Sequence, residues 1–347
     1  MKRGECALAL TDGRFGSLPD EQEMGLSRDM RQSLYSRSSV IEERLPRLLP
    51  AATQCPARLV EAMRYSLLAP GKRLRPLLVL LANEASGGDV ENATVAGCAV
   101  EMVHAYSLIH DDLPAMDDDD LRRGQPTCHK KFGEATAILA GDALLTLAFD
   151  VLATQYPPAT AAACCRELAR GAGACGMVGG QADDLAWERA WENGAGSSHV
   201  AAKATATATL APPTATSAAL EKIHAQKTGA LFRACLRLGV YTAQGERPGG
   251  PAPDLLNALD GYGRCFGQVF QITDDLLDVE GNAADTGKRV HKDAERGKLT
   301  YPGLLGIEES RRRARLLTEE AGRLLQPLGE RGQPLRLLLE TILQRDR

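Results

Sequence analysis

Apolar residues recur every three or four positions along most of the chain, and this spacing predicts an all-helical protein. The clearest stretch is 91–112, where Val95, Ala99, Met102 and Tyr106 are spaced three or four residues apart. Other helical stretches are predicted at 27–68, from Leu77 onward, and at 136–153, 160–180, 218–242, 254–280 and 300–345. We find no alternation of apolar and polar residues that would predict a strand.

Three segments interrupt the helical pattern. Residues 1–26 are polar and predict a disordered tail, and residues 189–217 are a low-complexity run that predicts a flexible loop. A Pro/Gly-rich break at 245–253 separates two helices. We therefore expect one helical domain over residues 27–347, with the 189–217 loop inserted in it.

The composition limits the function classes. Hydrophobic residues make up 44% of the chain, aromatic residues only 4%, and the net charge is −4, so nothing global points to a nucleic-acid partner. The nine cysteines form no Cys-x-x-Cys pair, which argues against a zinc site or a disulfide framework and favours the cytoplasm. No uninterrupted apolar run reaches the roughly 18 residues of a membrane span, and the start is too weakly apolar for a signal peptide.

The most informative feature is an acidic run that directly follows an apolar helix. Asp111 and Asp112 come first, and 117–120 are four further aspartates. Carboxylates at a helix C-terminus oppose the helix dipole, and a divalent cation such as Mg²⁺ would compensate them. Positions 111 and 117 diverge by ~240° on a straight helix, but Pro114 interrupts the helix and allows the chain to turn back.

A second acidic cluster ends another apolar helix. Asp274 and Asp278 are four residues apart on one helical face, which Gln271 joins, and Asp275 lies between them. One such cluster is weak evidence for a metal site, because acidic runs are usually solvated. Two clusters that both close apolar helices make a shared metal site the better hypothesis.

Several basic segments are candidate anion sites. They are Lys72, Arg73 and Arg75 before a predicted helix, Arg122 and Arg123 after the acidic run, Lys227 with Thr228, and Lys288 with Lys298. Each alone is more often solvated surface, but together with the carboxylates they fit two diphosphate groups. His104 lies two turns before Asp111 and Ser107 one turn before it, on the face that leads to the acidic cluster.

The stretch from His104 to Gly124 resembles the first aspartate-rich motif of the trans-prenyltransferase (polyprenyl synthetase) family, in the form typical of bacterial farnesyl diphosphate synthases. Residues 270–278 resemble the second such motif. Four further segments are similar to other family blocks in the same order: 71–76, 179–184, 227–229 and 300–302. The resemblance covers roughly 27–345 and implies the type I isoprenoid synthase fold, a helical bundle around a central cavity, and a homodimer.

The resemblance also implies roles for individual residues. It implies a Mg²⁺ site, with roughly three ions held by protein carboxylates and a bound diphosphate. The implied metal residues are Asp111, Asp117 and Asp274, with Asp112, Asp275 and Asp278 nearby. The residues implied to bind the allylic diphosphate are Arg122, Lys227, Thr228, Gln271 and Lys288, and Lys298 is implied to close over this site. The implied sites for isopentenyl diphosphate are Lys72, Arg75, His104 and Arg123.

The implied reaction lengthens an isoprenoid chain by ionisation, condensation and elimination. The metal and the cations, among them Arg122 and Lys227, stabilise charge on the leaving diphosphate. Tyr106 and Ser107, below the first cluster, are expected to limit chain length, and a bulky Tyr106 ring favours the fifteen-carbon farnesyl product. The alternative for Tyr106 is ordinary core packing.

Three other functions remain to be weighed. A geranylgeranyl or geranyl diphosphate synthase differs only in tunnel depth, which the sequence leaves open. A class I terpene cyclase is less favoured, because its second motif usually carries Asn, Ser and Glu and it has no need of Lys72 and Arg75. A non-catalytic regulatory subunit is also less favoured, because such a protein is expected to have lost an acidic cluster and this chain retains both.

Overall fold

A computed structural model of the protein describes residues 28–190, 216–280 and 298–344, with side chains from Ser36 onward, and it confirms the all-α class. The helices of this part of the chain are α1 Arg28–Leu48, α2 Ala57–Leu67, α3 Leu74–Ala85, α4 Val90–Asp111, α5 Cys128–Phe132, α6 Glu134–Gln155, α7 Pro158–Ala172, α8 Met177–Ala190, α9 Ser217–His224, α10 Ala230–Gln244, α11 Pro253–Glu280, α12 Tyr301–Leu305, α13 Ile307–Leu325 and α14 Gln333–Leu343.

One short hairpin departs from the expectation that the chain has no strands. Strand β1, Leu121–Arg122, pairs antiparallel with β2, Gln125–Pro126. Its two-residue turn is Arg123 and Gly124, with φ of 52° and 74°. Positive φ at both positions is what a tight hairpin turn requires, and glycine supplies it readily at the second. Strands of two residues are too short to leave an alternating pattern in the sequence.

Two predicted helices are interrupted. The stretch 160–180 is divided between α7 and α8, because α7 ends at Ala172 and Gly173 takes an extended conformation. The stretch 218–242 contains a π-helical segment, Ala225–Gly229, between α9 and α10. Single-turn π segments are frequent at functional sites. At the C-terminal end, a 3₁₀ segment, Gln326–Gly332, joins α13 to α14.

The core is organised around α4, which packs against α3, α6 and α10. Nearly every residue of α4 from Ala93 to Ile109 is buried, and a helix that is apolar all round belongs in a core. Burying each large aliphatic side chain contributes about 1.5–3 kcal/mol, so α4 is a rigid support. Because its last residue is Asp111, the first acidic cluster is fixed to this support.

Among the described helices, α6 has the length and apolar composition that would allow it to cross a membrane, with 39% of its most apolar stretch buried in the protein. It packs along α4 and α7, as core helices of similar composition do. The predicted tail 1–26, most of the predicted loop 189–217 and Lys288 lie outside the described residues. The predictions made for them, and the single-domain boundary at residue 27, stay predictions.

Candidate active site

The loop after α4 folds back on the end of that helix. The amide of Asp117 donates a hydrogen bond to the carbonyl of Asp111 at 2.8 Å, and the amide of Asp119 donates to the carbonyl of Asp112 at 3.2 Å. Asp118 takes a left-handed conformation with φ of 49°, which sharpens the turn. The return of the chain after Pro114 therefore occurs as expected, and it brings Asp117 beside Asp111.

The Asp112 carboxylate forms an ion pair with an arginine. This carboxylate is buried and accepts from Arg122, whose Nε lies 2.8 and 2.9 Å from the two oxygens and whose Nη2 lies 2.5 Å from Oδ1. Charge-assisted, multidentate pairs of this kind fix orientation strongly. Asp112 thus anchors the hairpin that carries Arg122 and Arg123. The structure gives its predicted metal role less support than those of Asp111 and Asp117.

Burial raises the pKa of Asp111 to about 6, against the opposing effect of Lys227, and the nearby charges of Asp117 and Asp112 raise it further. Crowded, partly dehydrated carboxylates favour binding of a divalent cation. In the residues that the structure describes, no three His, Cys, Asp or Glu side chains are close enough to hold a metal by themselves. A Mg²⁺ ion here would therefore take further oxygens from water or a bound anion, as Mg²⁺ commonly does.

The second cluster, near the end of α11, resembles the first: one aspartate is buried and holds other groups, and the other aspartates are more accessible. Asp275 is buried, and its two oxygens accept from the Gln271 side chain at 2.8 Å and from the Tyr301 amide at 2.9 Å. Asp274 is exposed and Asp278 is half-buried. Asp275 thus ties α11 to the start of α12, and Asp274 and Asp278 are better placed than Asp275 to bind an ion.

The π-helical segment links the two clusters. Lys227 lies near enough to Asp111 to lower its pKa, and Thr228 donates to the side chain of Gln271 at 3.1 Å. Two glycines let neighbouring helices approach this segment closely: a Cβ on Gly180 of α8 would lie 2.6 Å from the Lys227 Cα, and one on Gly267 of α11 would lie 2.8 Å from the Gly229 Cα. The segment is thus fixed between α8 and α11.

The sequence analysis assigned no role to two acidic residues of α8, although the first of them ends the family block 179–184. Asp184 accepts from the Lys227 ammonium at 2.5 Å, and Glu188, one turn later, lies 3.8 Å from the Lys298 ammonium. Burial raises the pKa of Glu188, Lys298 lowers it, and Asp117 is among the charges that raise it. The structure therefore brings Lys227 and Lys298 to the first cluster. The four-residue spacing of Asp184 and Glu188 is the signal that would have pointed to them.

A separate basic group lies beside α4. The Arg75 guanidinium is 3.2 Å from His104 Nε2 and lies over the Phe232 ring at 4.8 Å. Burial lowers the pKa of His104 well below its usual value, and Arg75, Arg123 and other arginines lower it further. A neutral His104 then accepts a hydrogen bond from Arg75. The surplus of positive charge favours an anion at this place.

Arg73 belongs to the same sequence block but has a structural role. Its side chain is buried, with Nε 2.7 Å from Glu42 and Nη1 2.6 Å from Glu101. Two carboxylates neutralise it, so it contributes little to the anion site. Lys72, its neighbour, is exposed.

The two residues predicted to limit chain length lie on α4 below Asp111. Tyr106 is buried, and its ring meets the His110 ring edge-on at 5.7 Å. Ser107 donates to the carbonyl of His104 at 2.9 Å. This placement is compatible both with a floor for a product tunnel and with core packing, so the role of Tyr106 stays a prediction.

Comparisons with known proteins agree with this geometry. The profile of the family described as polyprenyl synthetase matches residues 56–325. Farnesyl diphosphate synthase of Escherichia coli (strain K12) is 45% identical over 83% of this chain and 89% of its own length. Geranylgeranyl pyrophosphate synthase 9, chloroplastic, of Arabidopsis thaliana is 44% identical over 84% of this chain and 73% of its own.

Solved structures give the same result. A crystal structure of an FPP/GFPP synthase from Zymomonas mobilis superposes with a TM-score of 0.73 at 36% identity, covering 91% of this chain and 99% of the other. A geranyltransferase from Legionella pneumophila superposes with a TM-score of 0.73 at 33% identity, covering 92% and 98%. These matches confirm the resemblance and the isoprenoid synthase fold. The chain belongs to the polyprenyl synthetase family and is a prenyltransferase of the short-chain prenyl diphosphate synthase type.

Proposed function

We propose that the protein condenses an allylic diphosphate, dimethylallyl or geranyl, with isopentenyl diphosphate in a Mg²⁺-dependent reaction whose main product is farnesyl diphosphate. One arrangement carries the proposal. Lys227 and Thr228 connect the two acidic helix ends, and a separate cationic group around Arg75 lies beside them. Two substrates that each carry a diphosphate need two anion sites, here one at the acidic clusters, where a metal would bind, and one formed by cationic side chains. A protein that ionises a single diphosphate has no use for the second.

The carboxylates fit a magnesium site. Asp111, Asp117, Asp274 and Asp278 supply the hard oxygen ligands that Mg²⁺ prefers, and the crowding of charge at Asp111 is relieved by a cation. When bound, Mg²⁺ supplies a positive charge that polarises and neutralises the departing diphosphate. Asp112 and Asp275 hold Arg122 and Gln271, so we assign them the positioning of those side chains.

The chain's own cations complete the allylic site. Lys227 and Arg122, with Thr228, Gln271, Lys288 and Lys298, would hold the allylic diphosphate and stabilise the charge that develops on it. Its C1–O bond breaks, and the electron pair leaves with the diphosphate. The double bond of isopentenyl diphosphate then attacks C1. A proton is lost from the adjoining carbon to the released diphosphate, so no Ser, Cys or His nucleophile is needed.

The cationic group beside α4 would hold isopentenyl diphosphate through Lys72, Arg75, His104 and Arg123. Arg75 is oriented for this by His104 on one side and by the Phe232 ring on another. Because His104 stays neutral, it orients Arg75 through its unprotonated nitrogen.

The farnesyl product is supported by the buried ring of Tyr106 and by the similarity to a farnesyl diphosphate synthase. The alternative is a geranylgeranyl or geranyl product, since geranylgeranyl synthases are also among the relatives. The test is to incubate the purified protein with Mg²⁺, dimethylallyl diphosphate and isopentenyl diphosphate, and to determine product length by mass spectrometry. A twenty-carbon main product would contradict the farnesyl assignment, and turnover that persists after Mg²⁺ has been removed by a chelator would contradict the metal.

We also propose a cytoplasmic homodimer. Ile138 and Leu139 on α6 are 43% and 57% exposed, and only 39% of the most apolar stretch of this helix is buried. A largely uncovered apolar helix is typical of a surface that another subunit covers. Eight cysteines in the described residues are free thiols, as in a reducing compartment. Light scattering coupled to gel filtration would test the dimer.

A further inference from the structure

The β1–β2 hairpin touches the loop that follows α2. The tip residue Arg123 has φ of 52°, a conformation that non-glycine residues seldom adopt. Its Nη1 donates to the carbonyl of Pro70 and lies 3.4 Å from the carbonyl of Ala69. The Arg123 side chain therefore crosses from the hairpin to the loop that leads into Lys72.

Gly71 makes room for this contact. A Cβ on Gly71 would lie 2.9 Å from the Arg123 Cζ, and still closer to Nη1. Real Cβ atoms do not approach other heavy atoms so closely. Any side chain at position 71 would therefore displace the Arg123 guanidinium from the two carbonyls.

The same segment holds the other end of the hairpin. The Tyr65 hydroxyl donates to the carbonyl of Pro126 at 2.7 Å. The Tyr65 ring is itself fixed, because the Lys131 ammonium lies 3.9 Å from its centre and Phe132 meets it edge-on at 5.5 Å. The hairpin is thus attached to residues 65–71 at both its tip and its second strand.

Arg123, the cation held in this way, is bound differently from Arg73 and Arg122. In the described structure Arg73 is paired with Glu42 and Glu101, and Arg122 with Asp112. Arg123 instead contacts backbone carbonyls, which offset only part of its charge.

We propose that Gly71 and Tyr65 are positioning residues for isopentenyl diphosphate, which act by fixing Arg123 relative to Lys72 and Arg75. A diphosphate that contacts cations from two separate loops binds more tightly when the spacing between the loops is set before binding, because less order is lost. Gly71 sets that spacing at the hairpin tip, and Tyr65 sets it at β2. The inference rests on the proposed function, because it concerns one of its two substrates.

The test compares Gly71→Ala and Tyr65→Phe with the wild-type enzyme. We expect Gly71→Ala to raise the KM for isopentenyl diphosphate about tenfold, as when one charge-assisted hydrogen bond is lost. Tyr65→Phe, which removes only a hydroxyl, should raise it about threefold. The KM for the allylic diphosphate should change by less than about twofold in both variants, since the two sites are built from different residues.

Tyr156→Phe is the matched control. The Tyr156 hydroxyl also donates to a backbone carbonyl, that of Asn92 at 2.5 Å, and it lies at the far end of α6. Its loss should leave both KM values unchanged. Thermal unfolding of all three variants would show whether they are folded at the assay temperature.

A double-mutant cycle separates positioning from general damage. If Gly71 acts through Arg123, then adding Gly71→Ala to Arg123→Ala should raise the KM for isopentenyl diphosphate no further, because contacting residues are not additive. If the effects of the two substitutions on KM were fully additive, or if both KM values rose equally, the inference would be overturned. Turnover by the wild-type enzyme would still uphold the proposed function in that case. Absence of wild-type turnover with the two diphosphates would overturn both.

Discussion

The close approach of α8 to the π-helical segment gives a sharp test of how the site is built. In Gly180→Ala, the added methyl group would lie 2.6 Å from the Cα of Lys227 and nearer still to its amide nitrogen. Both are backbone atoms, so neither can rotate away. The segment that carries Lys227 and Thr228 must then move.

The magnitude follows from two opposing effects. Replacing a helix-interior glycine by alanine normally favours the helix by about 1 kcal/mol. Forcing an extra methyl group into close packing costs about 1–3 kcal/mol. We expect a net loss of up to about 2 kcal/mol in the free energy of unfolding, which lowers Tm by at most about 2–4 °C per kcal/mol in a domain of this size. Turnover should fall more steeply, since a displacement of about 1 Å in a catalytic group costs ~10²-fold.

Calorimetry and steady-state turnover measure the two effects separately. Gly322→Ala is the matched control, because Gly322 lies inside α13 and no atom lies within 4 Å of its added Cβ. That variant should be slightly stabilised and fully active. If Gly180→Ala instead kept wild-type turnover and gained stability as Gly322→Ala does, the close approach would not be what positions Lys227.

Three other outcomes follow from the structure. Asp111→Ala should lower turnover by about 10²–10³, the scale for one lost electrostatic stabiliser, measured at saturating Mg²⁺; near-normal rates would remove Asp111 from the metal site. Tyr106→Ala should lengthen the product, and an unchanged chain-length distribution by mass spectrometry would leave that ring a packing residue. Burial lowers the pKa of His224 to about 4 from a usual 6.5, so the unfolded chain binds a proton that the folded one does not. Stability should therefore fall by about 3 kcal/mol as pH drops from 6.5 to 4, and urea unfolding of His224→Gln should show a shallower pH dependence.

The sequence predicted the helices and the acidic clusters because both depend on short-range spacing. The run 91–112 corresponds to α4 within one residue at each end, and 254–280 corresponds to α11. An apolar helix that ends in aspartates can be identified from the order of residues in the sequence alone. The family blocks then assigned roles that spacing alone did not.

Several features that depend on contacts between distant segments were not predicted. The π-helical segment is held by Gly180 and Gly267, which are about forty residues away on either side. Arg73 and Arg75 look equivalent in the sequence, but one meets Glu42 and Glu101 while the other meets His104 and Phe232. Only the fold decides which arginine is neutralised.

The two aspartate pairs show how the fold assigns different roles to adjacent identical residues. Neighbouring positions on a helix point about 100° apart, so both members of a pair cannot face the same site. In each cluster the second aspartate, Asp112 or Asp275, is buried, with 3% and 2% of its surface exposed. Each uses both oxygens to hold the next part of the site: Asp112 holds Arg122, and Asp275 holds Gln271 and the amide of Tyr301. We therefore propose that the first member of each pair is the metal ligand, and that the second is the support for the neighbouring groups that would bind substrate.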